Sequence, residues 1–80
     1  MGHARRRPKR LAEKLVQIRE ALGVSQREMV GLLGVEMPHA NISKYERGMS
    51  IPPIEIVLAY ARAAGVGLDH IIDDDLNLKL

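Results

Sequence analysis

The apolar positions of this 80-residue chain recur with a helical period almost from end to end. Leu11, Leu15, Ile18 and Leu22 follow one another at helical spacings and form one stripe of a first helix. Gly23 supplies its left-handed stop. Ser25-Gln-Arg-Glu28 is a capping box, in which each side chain accepts the other residue's free backbone N–H. It opens a second helix with Met29, Leu32 and Leu33 facing inward and Gly34 at its end. Proline is tolerated only in a first turn, so a third helix starts no earlier than Pro38; it runs to Arg47 and closes at Gly48. Ile42 and Tyr45 share its buried face. Pro52 and Pro53 introduce a fourth helix, whose stripe reads Ile54, Val57, Leu58, Ala61 and Ala64 before the stop at Gly65. A short fifth helix spans Leu68 to Ile72. The strict alternation of Leu76-Asn-Leu-Lys-Leu80 suits a short strand, which has to fray or pair with something because a lone strand is unstable. The pattern therefore predicts an all-α body of five helices over residues 11–73. An N-terminal arm at 1–10 precedes it and a C-terminal tail at 74–80 follows.

Composition narrows the class. A chain of this length forms one domain and buries only about 60–65% of its unfolded surface. It has no cysteine, which removes disulfides and thiolate metal sites and suits a reducing cytoplasm. No apolar run approaches the roughly 18 residues of a membrane span, and the basic N-terminus leads into an amphipathic segment rather than the apolar stretch of a leader. Two tyrosines without Trp or Phe leave little surface for stacking bases of RNA or single strands.

The net charge of +2 hides an uneven distribution. Arg5, Arg6, Arg7, Lys9, Arg10 and Lys14 stand against Glu13 alone, so residues 1–14 carry +5. Residues 15–68 are neutral, and residues 69–80 carry −3 from Asp69, Asp73, Asp74 and Asp75 against Lys79. A footprint for a polyanion is confined to one end, although charge alone suits a solvated tail equally well.

Chemistry is otherwise sparse. Asp73, Asp74 and Asp75 lack the alternating ligands, central glycine and distal glutamate of a calcium loop, and read as a solvated acidic link. His3, His39 and His70 are scattered, and neither Ser25 nor Ser43 has a base and orienting acid close in sequence. The sequence predicts no enzyme, no metal site and no cofactor.

The ordered set Leu15-Val-Gln-Ile-Arg19, Ser25-Gln26, Leu33-Gly-Val35, Ile42-Ser43, Glu46-Arg-Gly48, Pro52 and Ala61-Arg-Ala-Ala-Gly-Val66 carries a resemblance. From Leu11 to Ile72 the chain resembles the helix-turn-helix domain of lambdoid phage repressors and Cro, the XRE-type family. The resemblance implies a five-helix fold with Pro38–Arg47 as the recognition helix in the major groove. It implies that Gln26 touches the DNA backbone and braces that helix. His39, Ala40 and Lys44 match positions that reach base edges, and Asn41, Ser43 and Arg47 match positions that contact bases or phosphates. Arg19 and Glu46 match a structural ion pair between the first and third helices.

Three departures from the family stand out. The turn containing Glu36-Met-Pro38 is longer than usual. Val30 replaces a small residue where two helices approach closely. Met49-Ser-Ile51 lacks the basic residues that many relatives set against phosphate, so Arg5, Arg6, Arg7, Lys9 and Arg10 are expected to grip the backbone instead. The resemblance implies a sequence-specific, double-stranded-DNA-binding regulator, a dimeric repressor acting at the bacterial or phage nucleoid in the cytoplasm. The alternative is an antitoxin-like interaction module, with the apolar side of Leu76, Leu78 and Leu80 added to a protein partner's sheet edge.

Overall fold

The computed structural model describes residues 8–80. It contains five helices: α1 (Leu11–Leu22), α2 (Gln26–Leu33), α3 (Ala40–Glu46), α4 (Ile54–Ala64) and α5 (Leu68–Ile72). α1 packs on α3, α4 and α5; α2 rests on α3 and α4; and α4 also meets α5. The common core holds Leu11, Leu15 and Ile18 of α1, Met29 and Leu33 of α2, Ile42 and Tyr45 of α3, Ile56, Val57, Tyr60 and Ala61 of α4, and Ile71 of α5.

Local chemistry accounts for the boundaries. Ser25 Oγ accepts the Glu28 backbone N–H at 3.0 Å while Glu28 Oε1 accepts that of Ser25 at 2.8 Å, so α2 begins on a complete capping box. The Ser25 backbone N–H first, and the Ser25 hydroxyl second, hold the Glu28 carboxyl below its ordinary pKa. α1 ends at Gly23 with φ +70°, where the Gly23 N–H reaches back to the Glu20 carbonyl and the Val24 N–H to that of Arg19. An L side chain is disfavoured in that conformation. α2 ends at Gly34 in the same way.

Several expectations need correction. α3 starts at Ala40 rather than Pro38, and His39 is its N-terminal boundary residue. Pro38 belongs instead to the turn from α2, where Met37 is packed against the core and so gives the long turn its own anchor. Leu32 is 52% exposed, because α2 touches its neighbours along the edge carrying Met29 and Leu33. In α4 the buried stripe is Ile56, Val57, Tyr60 and Ala61, which leaves Ile54 59% and Leu58 36% exposed. Apolar residues surround most of α4, so two overlapping stripes satisfy the helical period. The contacts of α4 with α1, α2 and α5 select the one containing Tyr60.

No strand forms at Leu76–Leu80. No second strand exists among the described residues to pair with it, and side chains take its carbonyls instead. Leu76 O accepts from Lys14 Nζ at 2.7 Å, and Asn77 O accepts from His70 Nδ1 at 3.1 Å. The alternation is used all the same: Leu76 and Leu78 are half-buried on the protein's own body, while Asn77 and Lys79 are exposed. Only Leu80 of the three leucines is exposed.

Asp74 is a clasp rather than part of a solvated link. Its carboxylate accepts the backbone N–H of Lys9 at 2.8 Å and of Arg10 at 3.0 Å, joining the two ends of the described chain. These bonds favour the charged form and hold the Asp74 carboxyl below its ordinary value. The folded-state pKa therefore lies under the unfolded value of about 3.9. The stabilisation is complete well above that value, and it disappears as pH falls through the folded-state pKa. Wild type should therefore lose urea stability on acidification more steeply than Asp74→Asn, with the two curves converging in strong acid. Glu28 acts with the same sign in both proteins, so the difference isolates Asp74. Parallel curves between about pH 6 and pH 2 would refute the clasp.

Candidate nucleic-acid interface

The exposed side of α3 is defined by what its other side buries. Ile42 and Tyr45 turn into the core, so the helical period turns His39, Ala40, Lys44 and Arg47 outward, and all four are exposed. Asn41 and Ser43 flank that face and are half-buried. Asn41 Nδ2 lies 3.9 Å from Met37 Sδ, and Arg47 Nε donates weakly to Ser43 O at 3.4 Å. The outward surface thus offers one ammonium, one guanidinium, one imidazole and one methyl group, a mixture suited to base edges and phosphates.

Three polar side chains fix α3 against the helices behind it. Arg19 of α1 donates to the Glu46 carboxylate through Nε at 2.7 Å and Nη2 at 3.1 Å. Gln26 Nε2 of α2 donates to the same carboxylate at 3.0 Å. Arg19 Nη1 donates to Val24 O at 3.0 Å in the turn between α1 and α2. One carboxylate on the last turn of α3 therefore gathers donors from both preceding helices. Hydrogen bonds to the Glu46 carboxylate raise the Arg19 pKa further above its already high value. The Tyr60 hydroxyl is buried with no hydrogen-bond partner; burial first, and the charge of Glu46 second, push its pKa well up.

The basic N-terminal segment divides in two. Arg5, Arg6 and Arg7, like His3, lie outside the described residues. Lys9 is exposed, but Arg10 is tied to the tail: Nη1 donates to Asp74 O at 3.0 Å, and Nε meets Glu13 at 3.4 Å. Lys14, counted with the basic cluster in the sequence, is fully buried. Its Nζ donates to the carbonyls of His70, Asp73 and Leu76 at 2.8, 2.7 and 2.7 Å. Two of the six cations in residues 1–14 are thus spent on holding the C-terminal segment. The sequence did carry a signal for Lys14: it lies three residues after Leu11 and four before Ile18, on the apolar stripe itself. Asp74 and Arg10 had no such local signal, since their partners are more than sixty residues away in the chain.

Among the described residues no helix is long and apolar enough to cross a membrane, and no group of three or more potential metal ligands comes together. No curated protein sequence matches the chain. The P22 c2 repressor in complex with a synthetic operator has a similar structure, with a TM-score of 0.70 and 26% identity over 81% of this chain and 96% of that one. The solution structure of the P22 c2 repressor DNA-binding domain also matches, with a TM-score of 0.71 over 94% of this chain and 96% of that one; at 24% identity it supports the fold alone. A helix-turn-helix family model matches residues 9–71, from the Asp74 clasp on Lys9 to the buried Ile71 of α5. With its Arg19–Glu46–Gln26 brace inside that match, the chain belongs to the XRE-type helix-turn-helix family.

Proposed function

We propose that this protein is a transcriptional repressor that binds double-stranded DNA in a sequence-specific way, with the outer face of α3 in the major groove. The observation that carries this reading is the joint geometry of α3. His39, Ala40, Lys44 and Arg47 are exposed on one side, and the Glu46 network fixes the helix from the other. The likeness to a repressor held on its operator supports the same placement. His39, Ala40 and Lys44 are assigned to base edges; Gln26, Asn41, Ser43 and Arg47 are assigned to bases or backbone. Arg5, Arg6, Arg7 and Lys9 add phosphate contacts, each neutralised phosphate contributing about 0.9 to the slope of log affinity against log salt. Arg10 is left out of that group because its guanidinium serves the tail. Two copies on a pseudo-palindromic site would read half-sites roughly 34 Å apart.

The reading is tested by selecting bound sequences from a random duplex pool. A single enriched motif with two-fold symmetry is expected, and no enrichment overturns it. On the selected site, Lys44→Ala should weaken binding about tenfold while binding to unrelated duplex falls much less. Equal losses on both would make Lys44 a phosphate contact. The repressor reading is favoured over the antitoxin-like one because Leu78 packs against the protein's own core and Leu76 is half-buried.

A further inference from the structure

The outer face of α4 carries the main apolar surface left uncovered on a helix of this fold. Ile54 and Leu58 are exposed there. Ile54, Leu58 and Arg62 recur every four residues, and Glu55 lies seven before Arg62, so all four share one side of α4. Glu55 and Arg62 are both exposed, and they stand about 10.5 Å apart along the axis, beyond the one-turn spacing of an intrahelical pair. Among the described residues neither takes part in a salt bridge.

That order of side chains is self-complementary. An acid lies before the apolar centre and a base after it. Turning the face end for end about an axis through Leu58 lays Leu58 on Leu58 of a second copy. It also sets Arg62 beside Ile54 and Glu55 of the second copy, and the reverse contact follows by symmetry. A parallel arrangement would instead place like charge against like. The tail offers no competing seat, since its leucines are largely committed to the protein's own body.

We propose that two copies of this chain pair through antiparallel α4 helices, with Leu58 at the two-fold axis and a Glu55–Arg62 ion pair on each side. The proposal deepens the DNA-binding reading by naming the surface that would hold two copies on a two-fold operator. One helix face against its copy is a small interface, so pairing is weak in free solution and is strengthened by the effective concentration that DNA supplies.

Sedimentation equilibrium of the full chain at low salt tests the surface without DNA. Leu58→Asp should weaken self-association by about tenfold or more. Glu55→Arg and Arg62→Glu should each weaken it several-fold, and the double exchange should restore it. An equimolar mixture of the two single variants should form mixed pairs in preference to like pairs. All three positions are exposed, so thermal melts should match wild type and separate lost pairing from lost folding. On a selected duplex, Leu58→Asp should keep half-site affinity and lose cooperative binding of the second copy. Unchanged association of Leu58→Asp, no rescue by the double exchange, or a wild type monomeric on and off DNA would each overturn the proposal. Failure to select any DNA motif would overturn the repressor reading instead, and the sedimentation series would still decide the pairing surface.

Discussion

Glu46→Ala is expected to cost about 3 kcal/mol of folding stability, a large share of what a domain this small holds. The Glu46 side chain is only 5% exposed, and that of Arg19 is 20% exposed. Removing the carboxylate strands a guanidinium with one remaining acceptor, Val24 O, and an amide nitrogen of Gln26 with none. The penalty comes from those unpaired donors rather than from the pair's net worth, since the ions had already been desolvated to form it. Glu46→Gln, which preserves an acceptor for one donor, should cost about half as much. Replacing Arg19 and Glu46 together by Met should recover part of the loss, because no unpaired charge is then left behind. Urea denaturation at 25 °C measures all four proteins. A Glu46→Ala protein within 1 kcal/mol of wild type would sink the argument. The same variant should also bind its selected DNA site more weakly at temperatures where it remains folded, because α3 has lost its tether to α1 and α2.

How much of this was legible in the sequence depended on how local each cause is. The capping box at Ser25 and the stops at Gly23 and Gly34 act within a turn, so α1 and α2 were readable to their ends. The tail was readable as an alternating segment but not as to its partner. Its carbonyls are taken by Lys14 and His70, and nothing within Leu76–Leu80 points to them. α4 was ambiguous for a different reason: Ile54 and Leu58 fit a helical stripe as well as Ile56 and Tyr60 do. Only packing against three other helices decides which stripe turns inward. For the site, the outward positions of α3 followed from the buried pair Ile42 and Tyr45. The division of the basic segment did not. Charge counts treat Arg5, Arg10 and Lys14 alike, whereas the fold assigns Arg10 and Lys14 to carbonyls contributed from residues 70–76.

That division sets up the second large effect. Lys14→Met should destabilise the protein by about 2–3 kcal/mol and release residues 73–80 in particular. An ammonium has three N–H donors, and here each has a carbonyl at 2.7–2.8 Å, those of His70, Asp73 and Leu76. Hydrogen bonds from a charged donor contribute about 1.5–3 kcal/mol each before the cost of burying the charge is set against them. Met reproduces the length of the aliphatic stem, so packing is nearly conserved. The donors are not, and three carbonyls at the end of α5 lose their shared partner. If the stem alone mattered, Met would be neutral; if avoiding the buried charge mattered most, Met would stabilise. The location of the damage distinguishes a tether from a general weakening of the core. Amide hydrogen exchange should rise first at Leu76–Leu80 and at Lys9 and Arg10, whose N–H groups depend on Asp74 staying in place. Uniform acceleration across α1, α4 and α5 would show instead that Lys14 acts as ordinary core. Preferential release of both chain ends would identify one buried cation as the link that holds the C-terminal segment against the root of the basic arm.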